Sequence, residues 1–255
     1  MPTWKHLDPG AFDLHVDSDV GAVVLHGFSG SPTEIRGLSE HLAAQGIGVH
    51  APLLPGHGLH HRDLEKAVRR DWLDAARAAL DVVRRRHRRV VVVGQSMGGL
   101  LALSLAAEAT DLVAVVTLAP ALAVSRLAQL SRISSVLPRF IPKFEERRPD
   151  LVDVAQLKEV WSYTHTPLRA VREVLALASD VHVSLPKVTA PLLVVQGARD
   201  KTVRPISSRR VIARAGSTTK ELLWLDGTGH IVAVDAERER VWQRVAGFIA
   251  ERRAG

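Results

Sequence analysis

The chain has 255 residues, of which 46% are hydrophobic and 24% are charged, as is typical of a globular protein with one sizeable core. It has no cysteine, no apolar run near the roughly 18 residues of a membrane-spanning helix and no apolar signal-peptide core. These absences predict a cytoplasmic protein without disulfides or stable membrane insertion. The net charge of +7 makes nucleic-acid binding a function to consider. The densest basic run, RRRHRR at 84–89, lacks interleaved aromatic residues, so we expect no nucleic-acid partner.

Short apolar runs alternate with amphipathic stretches, a pattern typical of parallel strands joined by helices. In chain order, the predicted strands are 20–25, 47–50, 90–93, 112–118, 192–195 and 221–225. Helical periodicity occupies 33–45, 71–86, 97–108, 205–214 and 235–251. The order predicts an α/β protein with a mostly parallel sheet and helices on both faces.

The alternation is interrupted once, between Pro120 and Val183, where the pattern is mostly helical and is divided by several prolines. We interpret residues 120–183 as a small helical cap inserted into a core domain of residues 1–119 and 184–255. The cap would bring apolar side chains to the core domain, which would suit an aliphatic ligand. They include Leu127, Leu130, Ile133, Val136, Leu137, Phe140 and Ile141.

A G-x-S-x-G motif, Gly94-Gln95-Ser96-Met97-Gly98, lies between a predicted strand and a predicted helix. Glycines on both sides let the strand and the helix pass closely. The turn would lift the Ser96 hydroxyl above the carboxyl edge of the sheet, with a helix N-terminus behind it. An N-capping serine in a glycine-rich turn is the alternative interpretation. We predict that Ser96 is a nucleophile.

A serine nucleophile needs a base and a carboxylate that orients the base. His230 lies in a glycine-rich loop after the last predicted strand, and Asp200 follows the strand at 192–195. The three residues therefore meet at the carboxyl edge of the sheet, in the order Ser, Asp, His. Asp226, four residues before His230, is the rival acid, and capping of its loop is the alternative role for it.

Acyl transfer also needs hydrogen-bond donors for the oxyanion of the tetrahedral intermediate. The backbone N–H of Met97 directly follows the nucleophile. The second donor would be the backbone N–H of Phe28, in the loop LHGFSGSP at 25–32. His26 in that loop is expected to be a structural residue.

Several segments resemble the bacterial carboxylesterases and monoacylglycerol lipases of the α/β-hydrolase superfamily. They are LHGFSGSPTEIRGLSEHLAAQGIGVHAPLLPGHG from residue 25, GQSMGG at 94–99, GARDKTV at 197–203 and GTGHIVAVD at 227–235. The resemblance implies the α/β-hydrolase fold and hydrolysis of small esters with aliphatic acyl chains, without a cofactor or metal. It implies that Ser96 is the nucleophile, Asp200 the acid and His230 the base. It also implies that Phe28 and Met97 provide the oxyanion donors, so all five residues are those already chosen.

Other functions of this fold remain open or are disfavoured by single residues. A thioesterase, an amidase and a carbon–carbon bond hydrolase would use the same three side chains. The loop HGFSG differs from the HGGPG of prolyl iminopeptidases, and Ser96 excludes the aspartate nucleophile of epoxide hydrolases and dehalogenases. A non-catalytic binding protein would be favoured by loss of one of the three residues, and all are present.

The segment GHGLHH at 56–61 places three histidines close together, which makes them candidate zinc ligands. No carboxylate–histidine pattern on a helix accompanies them. We therefore expect His57, His60 and His61 to face solvent or to cap a helix.

Overall fold

The computed structural model describes residues 7–123 and 149–253, together with the backbone of 144–146. Its strands are β1 (Phe12–Leu14), β2 (Val20–Leu25), β3 (Gly48–Ala51), β4 (Arg89–Gln95), β5 (Ala114–Leu118), β6 (Phe144–Glu146), β7 (His165–Pro167), β8 (Leu192–Gly197) and β9 (Lys220–Leu225). Its α-helices are α1 (Arg36–Ala44), α2 (His61–Lys66), α3 (Arg69–Arg86), α4 (Met97–Glu108), α5 (Leu168–Ser184), α6 (Ile206–Arg214) and α7 (Arg238–Arg253). Short 3-10 helices span Pro32–Ile35, Val154–Glu159 and Leu185–Lys187.

Seven strands form one sheet in the order β1-β3-β2-β4-β5-β8-β9. β1 pairs antiparallel with β3 at one edge, and the other neighbours are parallel. The register pairs Gln95 with Leu118 and Gly197 with Leu225, so the central strands end at one edge of the sheet. The loops that follow β4, β8 and β9 therefore meet there, as the sequence pattern predicts.

The central strands are continuous runs of buried, mostly β-branched residues, as expected for a sheet that is covered by helices on both faces. Side chains alternate between the two faces along each strand. Val90 and Val92 pack with α3, α4 and α5, whereas Val91 and Val93 pack with α1 and α7. This two-sided burial fixes the strand register, since a slip by one residue would exchange the faces.

The segment predicted as a cap contains two short strands, β6 and β7, which its helical pattern did not indicate. Its long helix, α5, buries Ala170, Val174 and Leu177 in the same cluster as α3 and α4. The division into a core domain and a cap at 120–183 stays a prediction. The apolar cap residues Leu127 to Ile141 lie outside the described residues. Among the helices that are described, none is long and apolar enough to cross a membrane.

Candidate active site

Ser96 lies in a strained turn between β4 and α4, with φ 56° and ψ −110°. A positive φ is costly for a residue with a side chain and is found where the surrounding structure enforces it. Its two flanking glycines are required: a Cβ on Gly94 would lie 2.0 Å from the carbonyl oxygen of Gly98, and one on Gly98 would lie 2.2 Å from that of Leu25. The Ser96 N–H donates to the Leu118 carbonyl at 2.8 Å. The turn therefore holds the hydroxyl at the carboxyl edge of the sheet.

Three predicted side chains form one hydrogen-bonded line. Ser96 Oγ is 2.8 Å from His230 Nε2, and His230 Nδ1 is 2.8 Å from Asp200 Oδ2. Each of the three residues is 8% exposed. The rival acid, Asp226, is exposed at the end of β9. The structure thus brings Asp200, and not Asp226, to the imidazole.

The carboxylate of Asp200 is held by donors from its own loop and from β8. The N–H groups of Thr202 and Val203 donate to Oδ1 at 2.9 and 2.7 Å, and Gln196 Nε2 donates to Oδ2 at 3.1 Å. These bonds fix the orientation of the Asp200 carboxylate, with Oδ2 directed at His230.

Two aspartates that sequence reasoning missed hold the loop of His230. The carbonyl of Asp150 accepts the His230 N–H at 3.0 Å, and its carboxylate accepts the N–H groups of Lys201 and Thr202 at 2.8 and 3.0 Å. Buried Asp235 accepts the Gly229 N–H at 2.6 Å and the Asp153 N–H at 2.8 Å. Asp235 is the last residue of the motif GTGHIVAVD, so its role could have been suspected from the sequence. Asp150 lies in a segment without a recognisable motif.

The loop of Phe28 passes beside the nucleophile. A Cβ built on Gly27 would lie 3.3 Å from Ser96 Cβ. Met97 is the first residue of α4, where backbone N–H groups have no partner within the helix. The two N–H groups predicted as oxyanion donors therefore belong to backbone segments that both adjoin Ser96.

Two buried histidines support this loop. Leu54 N–H donates to His26 Nε2 at 3.0 Å, and Ser29 N–H donates to His57 Nε2 at 3.2 Å. Burial lowers the pKa of His57 to about 4 and that of His26 well below its ordinary value, so both rings are neutral at pH 7 and can accept at Nε2. The expectation for His57 was wrong, because it neither faces solvent nor caps a helix.

The other histidines of GHGLHH are near the surface. His60 caps α2 by accepting the Arg62 N–H at 3.1 Å, as expected for a capping residue. Within the part of the chain that the structure describes, no three histidine or acidic side chains are grouped so that they could hold a metal ion.

A buried glutamate, Glu34, is a further residue that the sequence did not reveal. Its side chain reaches back from the 3-10 helix Pro32–Ile35, and its Oε1 accepts the N–H of Gly27. Burial raises the pKa of Glu34 to about 7. In the sequence it is indistinguishable from an ordinary acidic residue in the first turn of a helix.

A cleft opens at Ser96. Among the described residues, those that line it include the apolar or aromatic Phe28, Tyr163 and Ile231 and the acidic Glu34 and Asp150. A substrate would therefore meet both apolar and acidic surface near the nucleophile.

Comparison with known proteins identifies the family. The Hydrolase_4 family model, described as serine aminopeptidase, S33, matches residues 19–237. A thermostable monoacylglycerol lipase of Bacillus sp. (strain H-257) is 27% identical over 91% of each chain. A carboxylesterase of Bacillus subtilis (strain 168) is 25% identical over 91% of this chain and 92% of its own.

Solved structures show the same architecture. One from a study of the metagenome-derived lipolytic enzymes LipS and LipT superposes with a TM-score of 0.89 at 27% identity, over 96% of this chain and 98% of that one. A monoacylglycerol lipase of Paleococcus ferrophilus superposes with a TM-score of 0.80 at 19% identity, over 95% and 98% of the two chains, and shows the fold alone. The predicted fold, family resemblance and enzyme class, a serine carboxylic ester hydrolase, are confirmed. The chain belongs to the Hydrolase_4 family of serine hydrolases and has the α/β-hydrolase fold.

Proposed function

We propose that Ser96, His230 and Asp200 form the catalytic triad of this enzyme and cleave carboxylic esters through an acyl-enzyme. The observation that supports the proposal is the line of two 2.8 Å contacts from the Ser96 hydroxyl through His230 to Asp200. It starts at a strained residue, which is a feature common at functional sites.

Each group has one role in the proposed reaction. His230 Nε2 takes the proton of Ser96 as Oγ attacks the ester carbonyl carbon. The N–H groups of Phe28 and Met97 donate to the oxyanion of the tetrahedral intermediate. The intermediate then expels the alcohol, to which His230 gives its proton. Asp200 keeps the Nδ1–H tautomer of His230 and stabilises the imidazolium.

Water repeats the cycle on the acyl-enzyme. His230 Nε2 takes a proton from water, and the resulting hydroxide attacks the acyl carbonyl carbon. The carbon–oxygen bond to Ser96 breaks, Ser96 Oγ regains a proton from His230, and the carboxylic acid leaves. This reaction needs no cofactor.

The proposed substrates are small esters with aliphatic acyl chains, such as simple carboxylesters or monoacylglycerols. Two observations support this class. Two of the relatives similar over nine-tenths of the chain are named as a monoacylglycerol lipase and a carboxylesterase. The cleft at Ser96 has apolar wall residues, including Phe28 and Ile231. We further propose that the segment 120–183 acts as a cap and provides the rest of the acyl site.

Amide hydrolysis is a second candidate, because the family model is described as serine aminopeptidase. The same three side chains could attack an amide carbonyl, and the acidic walls of the cleft would tolerate a free amino group near Ser96. Thioester cleavage is a third use of the same groups, but no contact among the described residues favours it.

A direct comparison of leaving groups tests the proposal. The purified chain is assayed with p-nitrophenyl esters and monoacylglycerols of graded acyl length, with acyl thioesters and with aminoacyl p-nitroanilides. We expect kcat/KM to be highest for the esters and a fluorophosphonate probe to label Ser96 alone. Faster cleavage of the anilides, or probe adducts on another residue, would contradict the proposal.

A further inference from the structure

The buried carboxyl group of Glu34 has no role in the reaction described so far. It is 4% exposed although it can carry a charge, and an unpaired buried carboxylate is costly. The side chain is directed away from its own helix and lies against the loop 27–30, which carries the Phe28 N–H. A residue buried at this cost and hydrogen-bonded to the loop that precedes its own helix needs an explanation.

The loop is shaped around this carboxyl group. The Gly27 N–H donates to Oε1, and a Cβ on Gly27 would lie only 2.8 Å from the same oxygen. A Cβ on Gly30 would lie 2.4 Å from Oε2. A side chain at either glycine would therefore displace the carboxyl group. The carboxyl group and the two glycines together fix the path of the backbone through Phe28.

The carboxyl group also lies near the nucleophile and the base. The Cβ position on Gly27 that is 2.8 Å from Glu34 Oε1 is 3.3 Å from Ser96 Cβ, so both side chains border one small space. Burial raises the pKa of Glu34 to about 7, while the Gly27 N–H and a charged His230 lower it. Interaction between two titrating groups is reciprocal, so an ionised Glu34 favours the imidazolium form of His230.

Other titratable groups lie near the loop or near His230. The carboxylate of Asp150, which also lines the cleft, accepts the N–H groups of Lys201 and Thr202. His26 and His57, which pack behind the loop, are held neutral by burial. Asp200 is bound to Nδ1 of His230, the ring nitrogen that faces away from Ser96. Two carboxylates thus act on one imidazole from separate elements, β8 with its loop and the 3-10 helix Pro32–Ile35.

Resting on the proposed function, we propose that Glu34 is a positioning residue of the acyl-transfer site. Its Oε1 holds the loop that presents the Phe28 N–H, and its negative charge stabilises the protonated imidazole of His230 during turnover. The first role requires only a hydrogen-bond acceptor, whereas the second requires charge, so two substitutions separate them.

Glu34→Gln removes the charge and keeps an acceptor of the same shape. We expect it to move the acid limb of the kcat/KM profile to lower pH by a few tenths of a unit, because a carboxyl group with a pKa of about 7 is only partly ionised in that range. The loss in kcat should be less than about tenfold. Glu34→Met removes the acceptor as well. We expect kcat to fall by about tenfold to a hundredfold with KM little changed, because the Phe28 N–H is displaced rather than deleted.

Glu40→Gln is the matched control, since Glu40 lies on α1 with its side chain 57% exposed and pairs with Arg36 on its own helix. It should leave the pH profile and kcat unchanged. Circular dichroism establishes that each variant is folded. If E34M does not fold, the titration of E34Q decides.

The His230 titration is also followed by NMR of its ring protons in the resting enzyme, which requires no turnover. An inactive wild-type chain would contradict the proposed function, while this titration would still test the coupling of Glu34 to His230. The proposal for Glu34 would be overturned if His230 titrated in E34Q with the same midpoint as in the wild type. It would also be overturned if a folded E34M had the same kcat as E34Q.

Discussion

His230 Nε2 lies 2.8 Å from Ser96 Oγ although the two residues are 134 positions apart in the chain. The contact depends on the parallel register of β4, β5, β8 and β9, whose carboxyl ends share one edge of the sheet. It also depends on Gln95, whose Nε2 donates to the His230 carbonyl at 2.9 Å and so ties the two loops together. The sheet brings the loops to one edge, and such side-chain bonds set the final distance.

Replacing Ser96 by Ala should reduce ester turnover by at least about 10⁴-fold, because the proposed acyl-enzyme forms on the Ser96 hydroxyl. The folded state should lose little, since the backbone bonds of the turn are kept and only the contact of the hydroxyl with His230 is removed. Steady-state kinetics and thermal unfolding by circular dichroism check the two parts. Turnover close to that of the wild type would show that Ser96 is not the nucleophile.

The identity of the acid is tested by Asp200→Asn and Asp226→Asn. The first should lower kcat by up to about 10⁴-fold, the loss known for the same change in a serine protease, because an amide at this place favours the wrong imidazole tautomer. The second should change kcat less than about twofold, since Asp226 is exposed and His230 bonds to Asp200. The reverse order of the two losses would contradict the assignment.

The buried ring of His57 should make the folded state sensitive to acid. Its pKa is lowered by burial from 6.5 to about 4, so the unfolded chain binds a proton between these values and the folded chain does not. Its contribution to stability is therefore complete above pH 6.5 and is lost as the pH falls toward 4, by about 3 kcal/mol in total.

His57→Gln keeps an acceptor for the Ser29 N–H and removes this titration. We expect a shallower fall in the free energy of unfolding between pH 6.5 and 4 than in the wild type, measured by urea denaturation. His60→Gln, at the exposed cap of α2, is the control. Equal slopes in all three proteins would contradict the prediction.

Acyl-chain preference should depend on the segment predicted as a cap. Each buried methylene is worth about 0.8 kcal/mol, so kcat/KM should rise from acetyl to medium chains and fall once the acyl site is full. Leu130→Gln should shift the optimum to shorter chains, whereas Val183→Gln, at an exposed position of α5, should not. A profile that is flat, or unchanged by L130Q and by equivalent changes at the other apolar cap residues, would show that the segment does not form the acyl site.

Periodicity in the sequence was sufficient to predict most of the sheet. The strand at 20–25 was predicted with its observed limits, since six consecutive apolar or small residues are buried on both faces. β1 and α2 were missed because three and six residues are too few to establish a period. The strands β6 and β7 lie in a segment whose composition favoured helices.

Residues of the candidate site could be proposed from the sequence where a local motif marks them, and not where a side chain binds the backbone of another segment. Ser96, Asp200 and His230 follow strands with glycine-rich turns, so their placement could be inferred. Glu34 and Asp150 bind backbone N–H groups of other loops, and such a partnership leaves no pattern in the neighbouring residues. Their roles became visible only with the fold.

The anchoring of the chain on either side of residues 124–148 has a consequence for evolution. On one side Ala123 is bound to the segment that begins α6, through the Ser207 hydroxyl and the Arg204 N–H. On the other side Asp150 is bound to the loops of Asp200 and His230. Because both attachment points are held by the loops at the carboxyl edge of the sheet, we expect a change in the length of the stretch between them to leave Ser96, Asp200 and His230 in place. If that stretch forms the proposed cap, evolution can alter ester preference there while the proposed chemistry is kept.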